Sequence, residues 1–271
     1  MIALPLPAAP VDDRGGRPAG ASEPRLVAVR IEQATKVFGS GGGAVTALEN
    51  ISLDVARGEF VSILGASGCG KSTLLNLVAG LDRPTSGRVE RLGEASFMFQ
   101  EAALFPWLSV ERNIELPLKL RKVPKAARRA RVDELLELVQ LTAFARRQPH
   151  ELSGGMRQRV ALARALAHDA EVMLMDEPFG ALDAMTRDIL HDELERIWQA
   201  TGRTILFVTH NVREATRLGD RVVLLTSRPG RVAEEFAVDI PRPRRIEDPD
   251  VAALARVITA RLREEVARHG R

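Results

Sequence analysis

The most informative stretch of this sequence is Gly65-Ala66-Ser67-Gly68-Cys69-Gly70-Lys71-Ser72-Thr73, which has the spacing Gly-x-x-x-x-Gly-Lys-Ser. An apolar run at 60–64 precedes it and predicts a buried strand, and a helix-forming run at 74–79 follows it and stops at Gly80. Glycines let the backbone close around a phosphate, so that N–H groups and the positive end of the helix face the anion. The stretch therefore predicts a phosphate-binding loop between a strand and a helix.

The side chains of this loop predict a nucleoside triphosphate with Mg²⁺ as the ligand. Lys71 would reach the β- and γ-phosphates, and the Ser72 hydroxyl would hold the metal ion. The alternative is a glycine-rich turn with an incidental lysine. A match of this kind arises by chance in only about one chain of this length in a hundred, and here the flanking strand and helix also fit.

Composition limits the classes of protein that this chain can represent. Its 271 residues can form one large domain with a smaller lobe and tails. No run approaches eighteen uncharged apolar residues, so we expect no membrane-spanning segment. The net charge of +3 comes from interspersed acidic and basic residues, which argues against a dedicated nucleic-acid surface. Because Cys69 is the single cysteine, the chain can form no internal disulfide. The helix N-terminus next to Cys69 could lower the pKa of its thiol, but we interpret Cys69 as a small loop residue rather than a redox residue.

Two segments outside the central region are read as a tail and a C-terminal helix. Residues 1–24 carry five prolines and no apolar periodicity, so we expect a disordered tail. We expect no secretory signal, because basic residues do not precede the apolar stretch and Asp12-Asp13 follow it. A proline- and arginine-rich linker begins at Pro241, and a final helix begins at Asp248-Pro249. Its apolar stripe, which we expect to pack on the domain, consists of Val251, Leu254, Ile258, Leu262 and Val266.

The pattern of apolar runs predicts an α/β fold. Residues 26–32 alternate as a half-buried strand, a Gly39–Gly43 turn follows, and a second strand-like run covers 45–55, which together predict an antiparallel lobe. Short apolar runs then alternate with helical patterns, which predicts a mostly parallel sheet covered on both faces. These runs are 95–99, 172–176, 204–209 and 221–225, with helical patterns at 185–199 and 212–218 between the last three. We read Asp82 to Gly87 as a turn.

Two acids end one of these strands. Ligand chemistry in parallel sheets lies at the carboxyl ends of the strands, where Asp176 and Glu177 fall. Asp176 would bind Mg²⁺ through water, and Glu177 could polarise an attacking water. Without the phosphate loop, these residues would be read as acids that cap a strand. His210 ends the next strand.

Three further segments have two readings each. Phe38 could stack on a purine base or belong to the core. Residues 104–108, with two aromatics around Pro106, could form an exposed docking surface or a loop that tucks its own aromatics under the domain. Arginines 128, 129 and 131 resemble a nucleic-acid patch, but acids on the same segment favour a solvated helix face. Ser153 suits the N-cap of another helix.

Taken together, these motifs resemble those of the ATP-binding-cassette ATPases, from about Leu26 to Val232. The phosphate loop is similar to the family's own, Gln100 resembles its Q-loop glutamine, and Leu152 to Gln158 its signature sequence. Asp176-Glu177 resembles the Walker B pair, Gly180 to Asp183 the D-loop, and His210 the switch histidine. Phe38 falls where the family carries its adenine-stacking aromatic residue. Met156 replaces a glutamine frequent in the signature, so Ser153 and Gly155 are the expected γ-phosphate contacts.

Several segments are more narrowly similar to the nitrate, sulfonate and taurine importer subgroup. They are Gln100 to Trp107, Gly155 to Arg159, Glu177 to Asp183 and Ser227-Arg228-Pro229-Gly230-Arg231. None of these segments identifies the transported solute, because other subunits bind the solute in such systems.

The resemblance implies a P-loop NTPase (RecA-like) fold with an inserted α-helical subdomain at about 101–165. The ATPase domain would cover 25–240, and a C-terminal linker and amphipathic helix would cover 241–271. The implied catalytic residues are Glu177, His210, Lys71 and Gln100, and the implied Mg²⁺ ligands are Ser72, Gln100 and Asp176. The implied nucleotide contacts are Phe38, Gly65, Ser67, Gly68, Cys69, Gly70, Lys71, Ser72, Thr73, Ser153, Gly155 and Asp183.

The resemblance also implies partners and a place in the cell. Two ATPase chains would face each other head to tail and hold ATP between the phosphate loop of one and the signature helix of the other. Separate transmembrane permease subunits and a solute-binding protein would complete an importer at the cytoplasmic face of the cell membrane, with no nucleic acid involved. The alternative is a soluble cassette ATPase that acts on DNA or ribosomes; such chains usually carry a long coiled coil, cysteine-bound zinc or tandem cassettes, which this sequence lacks.

Overall fold

A computed structural model describes residues 26–180 and 182–269; the predicted tail at 1–24 lies outside the described residues. The strands in chain order are β1 (Val27–Phe38), β2 (Val45–Ala56), β3 (Phe60–Leu64), β4 (Ser86–Arg91), β5 (Ala95–Met98), β6 (Val172–Asp176), β7 (Thr204–Val208), β8 (Arg221–Leu225) and β9 (Val232–Ala237). The α-helices are α1 (Lys71–Ala79), α2 (Val110–Leu120), α3 (Lys125–Leu138), α4 (Gly154–Ala167), α5 (Ala184–Thr201), α6 (Val212–Leu218) and α7 (Pro249–His269).

The central sheet has six strands in the order β5-β6-β7-β3-β8-β9. All neighbours are parallel except β8 and β9, which pair antiparallel. β3 lies in the middle, where Ser62 pairs with Phe207 on one side and Val222 on the other. The phosphate loop therefore leaves the sheet at a point flanked by parallel strands on both sides, as the α/β prediction requires.

Both faces of the central sheet are covered, which explains why its strands are continuously apolar rather than alternating. In β6, Met173 and Met175 pack with Phe60 and Phe207 toward the helices α2 to α5. Val172 and Leu174 point the other way, into a core shared with α1 and the antiparallel lobe. Every residue of β3, β6 and β7 is buried.

The antiparallel lobe is a three-stranded sheet in the order β2-β1-β4. The hairpin of β1 and β2 agrees with the sequence prediction. The reading of Asp82 to Gly87 as a turn is wrong at its end, because Ser86 and Gly87 begin β4, which pairs with β1 through contacts such as Ile31 with Val89. Five of the six residues of β4 are exposed, so backbone pairing rather than an apolar pattern makes it a strand.

The C-terminal helix packs on the domain, against α6. Val251 and Ile258 of the predicted stripe are fully buried, and Ile258 joins a core with Val222 and Leu224. Val266 departs from the prediction, because it is 45% exposed near the end of α7. Within the described part of the chain, no helix combines the length and apolar character needed to cross a membrane.

Candidate active site

The phosphate loop turns from β3 into α1 through backbone conformations that favour glycine. Gly70 has φ 99°, and a Cβ there would lie 2.6 Å from Leu48 Cδ2 and 2.8 Å from the Ala47 carbonyl oxygen. The Lys71 Nζ donates to the carbonyl oxygens of Gly65 at 2.9 Å and Ala66 at 3.0 Å. The lysine charge is thus held against the loop itself at the N-terminus of α1, which is the place for an anion.

Cys69 packs inside the loop and is 1% exposed. Burial raises the pKa of its thiol and outweighs the opposite effects of the Lys71 charge and of the backbone N–H groups at the helix N-terminus, so the net shift is opposite to the lowering that the sequence allowed. A protonated, buried thiol is a poor nucleophile. This agrees with reading Cys69 as a small packing residue of the loop.

Asp176 ends β6 close to the loop. The carboxylate is 7% exposed, and burial is the main cause that raises its pKa, with the nearby Glu177 charge adding to the effect. A hydrogen bond with Ser72 and the charge of Lys71 act in the opposite direction. The structure thus brings together a hydroxyl and a carboxylate whose oxygens suit Mg²⁺.

Glu177 has a strained backbone, and its side chain contacts His210. Its φ is 45°, which is uncommon for a residue other than glycine, and its N–H donates to the Val208 carbonyl at 2.9 Å. The Glu177 carboxylate Oε2 lies 3.0 Å from His210 Nδ1. Two polar groups that are 33 residues apart in the chain are thereby joined beside the end of β6.

A buried network holds the segment that carries His210. The Thr209 hydroxyl bonds to Glu214, whose other carboxylate oxygen lies 2.6 Å from His191 Nε2. The Asn211 N–H donates to Thr209 Oγ1 at 3.0 Å. His191 is fully buried on α5. Sequence reasoning missed His191 and Glu214, because each looks like an ordinary polar residue of a helix.

Gln100 contacts the segment Leu152 to Gln158 through its backbone rather than its side chain. Gln158 of α4 donates to the backbone oxygen of Gln100 at 2.6 Å. Ser153 caps α4 by accepting from the Met156 N–H at 3.2 Å, as its sequence position predicts. Gly155 and Asp183 line one cavity of about 300 Å³ with Ser153.

Some of the predicted nucleotide contacts are not bonded to the phosphate loop within the described part of one chain. Across residues 26–180 and 182–269, no hydrogen bond or ion pair joins Ser153, Gly155 or Asp183 to the phosphate loop. Ser67, Gly68 and Ser72 lie exposed at the rim of the loop, and Thr73 is half-buried in the first turn of α1. Phe38 is 45% exposed, with Lys36 Nζ 5.0 Å from its ring centroid.

The 104–108 segment exposes one of its two aromatics and partly buries the other. Trp107 is 69% exposed, as expected for a docking surface, whereas Phe105 is half-buried and Leu104 packs against the core. Asn113, which is fully buried, holds the segment: its Oδ1 accepts from the Phe105 N–H at 2.9 Å and its Nδ2 donates to the Leu108 oxygen at 3.1 Å. Arg164 of α4 donates to the backbone oxygens of residues 102 and 103. Sequence reasoning missed both supporting side chains.

The arginines of α3 lie on a mixed-charge surface. Arg128 pairs with Glu115 at 2.8 Å, and Arg131 pairs with Glu134 at 2.7 Å. This is the arrangement of a solvated helix face.

The fold and the loop together define a class. A mostly parallel sheet with a Gly-x-x-x-x-Gly-Lys-Ser loop between its central strand and a helix, next to an acidic strand end, is a P-loop nucleoside triphosphatase.

Comparisons with known proteins identify the family within this class. A family model described as ABC transporter matches residues 48–180. An uncharacterized ABC transporter ATP-binding protein of Methanocaldococcus jannaschii is 47% identical over 226 residues, which cover 80% of this chain and 85% of that protein. The taurine import ATP-binding protein of Burkholderia pseudomallei is 48% identical over 78% of this chain and 84% of its own length. The aliphatic sulfonates import ATP-binding protein of Bacillus subtilis is 46% identical over 84% and 91%, respectively.

Solved structures agree. A dimeric post-hydrolysis state of an ATP-binding cassette bound to ADP and Pi is 35% identical, with a TM-score of 0.72 over 79% of this chain and 100% of that chain. An inward-facing, putative metal-chelate type ABC transporter is 27% identical, with a TM-score of 0.68 over 78% of this chain and 84% of that chain. This chain belongs to the ATP-binding proteins of the ABC transporter family, and it is a nucleotide-binding ATPase.

Proposed function

We propose that this chain is the ATP-hydrolysing subunit of an importer for a small solute of the taurine, aliphatic sulfonate or nitrate type. The observation that carries the proposal is the contact between Glu177 and His210 at the strand end beside the phosphate loop. The import direction and the solute class rest on the names of the relatives and on the subgroup segments. The proposed organisation is an ATPase domain at 25–240 with a helical subdomain at about 101–165, flanked by a tail at 1–24 and a C-terminal part at 241–271.

Three side chains would hold Mg²⁺, and they offer the oxygen donors that this ion prefers. Ser72 supplies a hydroxyl, Gln100 an amide oxygen and Asp176 a carboxylate. When bound, the ion would neutralise part of the phosphate charge. Lys71 and the backbone N–H groups of the loop would contact the phosphates directly, with Phe38 against the base.

Glu177 and His210 would act on the terminal phosphate. Phosphoryl transfer depends mostly on positioning and charge neutralisation, so the protein must orient the attacking water and stabilise the developing charge. The Glu177 carboxylate would accept a hydrogen bond or a proton from that water. His210, held by the Thr209–Glu214–His191 network, would contact the γ-phosphate.

The active site would be completed by a second copy of the chain. Ser153 and Gly155 share no hydrogen bond or ion pair with the phosphate loop among residues 26–180 and 182–269, but they stand at the exposed N-terminus of α4, where a partner's γ-phosphate could bind. Head-to-tail pairing gives two such sites by symmetry. Asp183, which lines the same cavity as Ser153, would lie at the interface.

The segment around Trp107 would dock on a transmembrane permease. An exposed tryptophan on a segment held by Asn113 and Arg164 is a rigid apolar anchor, which is the residue type that dominates interface energies. Arg164 bonds to the backbone beside this segment and Gln158 bonds to Gln100, and both side chains belong to α4. A movement of Trp107 would therefore be transmitted to Gln100 and α4, which the proposal places at the ATP site. The chain would then sit at the cytoplasmic face of the membrane, with a solute-binding protein acting through the permease.

The test is purification of a tagged Glu177→Gln chain from membranes with ATP and Mg²⁺, followed by identification of its partners. We expect a multi-spanning permease and, through it, a binding protein whose ligand names the solute. The matched control is the same tagged Glu177→Gln chain that also carries Trp107→Ala, which should no longer bind the permease. Recovery of ribosomes or DNA-repair proteins without a permease would refute the importer and support the soluble cassette class.

A further inference from the structure

The loop at residues 226–231, between β8 and β9, lies against the phosphate loop although no step of the proposed mechanism uses it. It contains the whole segment Ser227-Arg228-Pro229-Gly230-Arg231. Gly230 lies so close to the phosphate loop that a Cβ on it would be 2.2 Å from the Cys69 carbonyl oxygen. Arg228 Nε donates to the Gly68 carbonyl oxygen at 3.1 Å. The two loops are therefore in direct contact at two consecutive residues of the phosphate loop.

The 226–231 loop is rigid enough to position what it touches. Thr226 closes it, because its N–H donates to the Arg231 carbonyl at 2.9 Å and its hydroxyl donates to the Pro229 carbonyl at 2.7 Å. Gly230 anchors it to β2, with its N–H donating to the Ala47 carbonyl at 2.9 Å. Arg231 also pairs with Glu49 at 2.7 Å. Because these bonds hold the loop at Thr226, Gly230 and Arg231, they fix the position of the backbone that carries Arg228.

Arg228 differs from its neighbour Arg231 in its charge partners. Arg231 is neutralised by Glu49, whereas no carboxylate pairs with Arg228 among residues 26–180 and 182–269. Its guanidinium lies over Gly68, where a Cβ would come 2.4 Å from Nη2. Gly68 also has φ 75°, a backbone conformation that favours glycine, and a side chain there would displace the Arg228 guanidinium. An unpaired cation thus rests on the exposed rim of the phosphate loop.

The contact fixes one peptide plane of the loop at both ends. The oxygen of the Gly68–Cys69 peptide accepts from Arg228, and its N–H donates to the Ala66 carbonyl at 3.2 Å. Such a plane cannot rotate without losing a hydrogen bond, and one of these bonds is charge-assisted. The guanidinium also adds positive potential where a polyphosphate approaches.

We propose that Arg228 is a positioning residue for the phosphate loop: it holds the Gly68–Cys69 peptide in the nucleotide-binding conformation and adds a positive charge at the rim. The proposal rests on the nucleotide site of the proposed function. Because a bound nucleotide holds the loop by its own contacts, the loss of Arg228 should weaken binding more than it slows hydrolysis at saturating ATP.

The test compares Arg228→Gln with Arg231→Gln in the full chain. ADP affinity is measured by calorimetry, because ADP is not hydrolysed. We expect Arg228→Gln to weaken ADP binding by about three- to tenfold, the loss expected for one partly exposed charge-assisted hydrogen bond. The KM for ATP should rise by a similar factor with kcat within about twofold, while Arg231→Gln should change the affinity by less than about twofold. Arg228→Lys, which keeps the charge and one donor, should bind ADP more tightly than Arg228→Gln.

Cys69 provides a second readout, because it is the only cysteine of the chain and is buried under the contact. Its alkylation by N-ethylmaleimide in the nucleotide-free protein reports opening of the phosphate loop. We expect faster alkylation in Arg228→Gln, unchanged alkylation in Arg231→Gln, and slowing by ADP in all three proteins.

The outcomes separate this proposal from the one before it. Wild-type protein that fails to bind ADP would refute the nucleotide site itself. Normal ADP binding with equal affinities and equal alkylation rates for wild type and Arg228→Gln would overturn only the role of Arg228. Equal losses in Arg228→Gln and Arg231→Gln would also overturn it, because the whole 226–231 loop rather than Arg228 would then be responsible. If Arg228→Gln melts at a lower temperature than wild type, the same measurements on Arg228→Lys decide.

Discussion

At the scale of single residues, the proposed chemistry depends on two adjacent carboxylates with different surroundings. Asp176 is buried and its pKa is raised, whereas Glu177 is turned by a positive φ toward His210. A group that holds a cation through water and a group that orients an attacking water need such different environments. We therefore expect different effects from removing the charge of Glu177 and from removing the charge of Asp176.

Glu177→Gln should slow ATP hydrolysis by about 10²-fold or more, on the scale of the loss of a general base, while ATP still binds. Glutamine keeps the size of the side chain and the contact with His210 but cannot take a proton from water. Phosphate release and ATP binding, measured on the same preparation, test this. Hydrolysis near the wild-type rate would remove Glu177 from the role of base.

Asp176→Asn should raise the unfolding free energy of the nucleotide- and metal-free protein at neutral pH, because burial raises the pKa of Asp176 and makes its ionised form costly in the folded state. The folded-state pKa is raised, so burying the charge costs stability above that pKa; the cost decreases as the pH falls through it and vanishes below the pKa of the unfolded chain. The gain should therefore shrink in acid, as measured by urea unfolding at several pH values.

Asp183→Asn is the control for this measurement. The exposed Asp183 has a pKa lowered by the N–H of Thr186, which should give no gain from neutralisation. A gain in Asp176→Asn that is independent of pH would contradict the explanation.

At the scale of elements, the 104–108 segment and the helices α2 and α4 form one mechanical unit. Asn113 connects α2 to the segment, and Arg164 connects α4 to it, with its guanidinium 5.9 Å from the Phe105 ring centroid. The exposed Trp107 is carried on this unit rather than on a free loop. Docking energy and structural support should therefore be separable by mutation.

Trp107→Ala should leave the unfolding free energy within about 0.5 kcal/mol of wild type, because the indole is largely exposed. It should keep basal ATPase activity and lose the coupling to transport. ATPase activity in detergent and solute uptake in vesicles measure the two effects. Leu120→Ala, which removes another exposed apolar side chain at the end of α2, should retain coupling. Normal uptake with Trp107→Ala would remove this segment as the docking site.

Asn113→Ala should lower the unfolding free energy by about 1–3 kcal/mol, because it leaves partly buried backbone groups without partners. Those groups include the Phe105 N–H and the Leu108 carbonyl. Chemical denaturation of the purified chain measures the loss. A change below about 0.5 kcal/mol would show that water replaces the amide and that the segment is not held by Asn113.

At the scale of the whole molecule, the proposed function requires one chain to carry two halves of different ATP sites. The phosphate loop and the N-terminus of α4 share no hydrogen bond or ion pair within the described residues, although both present groups suited to a phosphate. A protein with such an arrangement is expected to pair with itself when ATP links the halves. This expectation can be measured without a membrane.

The Glu177→Gln chain should be a dimer with ATP and a monomer without it. Adding Ser153→Arg should keep the chain monomeric with ATP, because the arginine fills the space at the N-terminus of α4, while ATP still binds to the phosphate loop. Light scattering after size exclusion, together with ATP binding, gives both answers. An ATP-dependent dimer that tolerates Ser153→Arg would exclude this helix from the interface.

The elements with strong local signals could be predicted from the chain. β3, β6, β7 and β8 are short apolar runs between turn or cap residues, and α1 follows a glycine loop, so local chemistry specifies them. β4, β9 and α2 escaped prediction. β4 is polar and exposed, β9 is only partly buried, and α2 contains Pro117. For β4 and β9, pairing with a neighbouring strand replaces the apolar pattern.

The site likewise contains parts that local sequence predicts and parts that depend on contacts between distant segments. Local sequence was enough to locate the phosphate loop, the acids at 176–177 and the N-cap at Ser153, because each depends on residues that are neighbours in the chain. The contact of Glu177 with His210 spans 33 residues, and that of Gly68 with Arg228 spans 160. Such contacts depend on strand order and on how the loops between strands meet at the sheet edge. Only the folded chain specifies them, because hydrogen bonding and packing between distant segments have no signature in either segment alone.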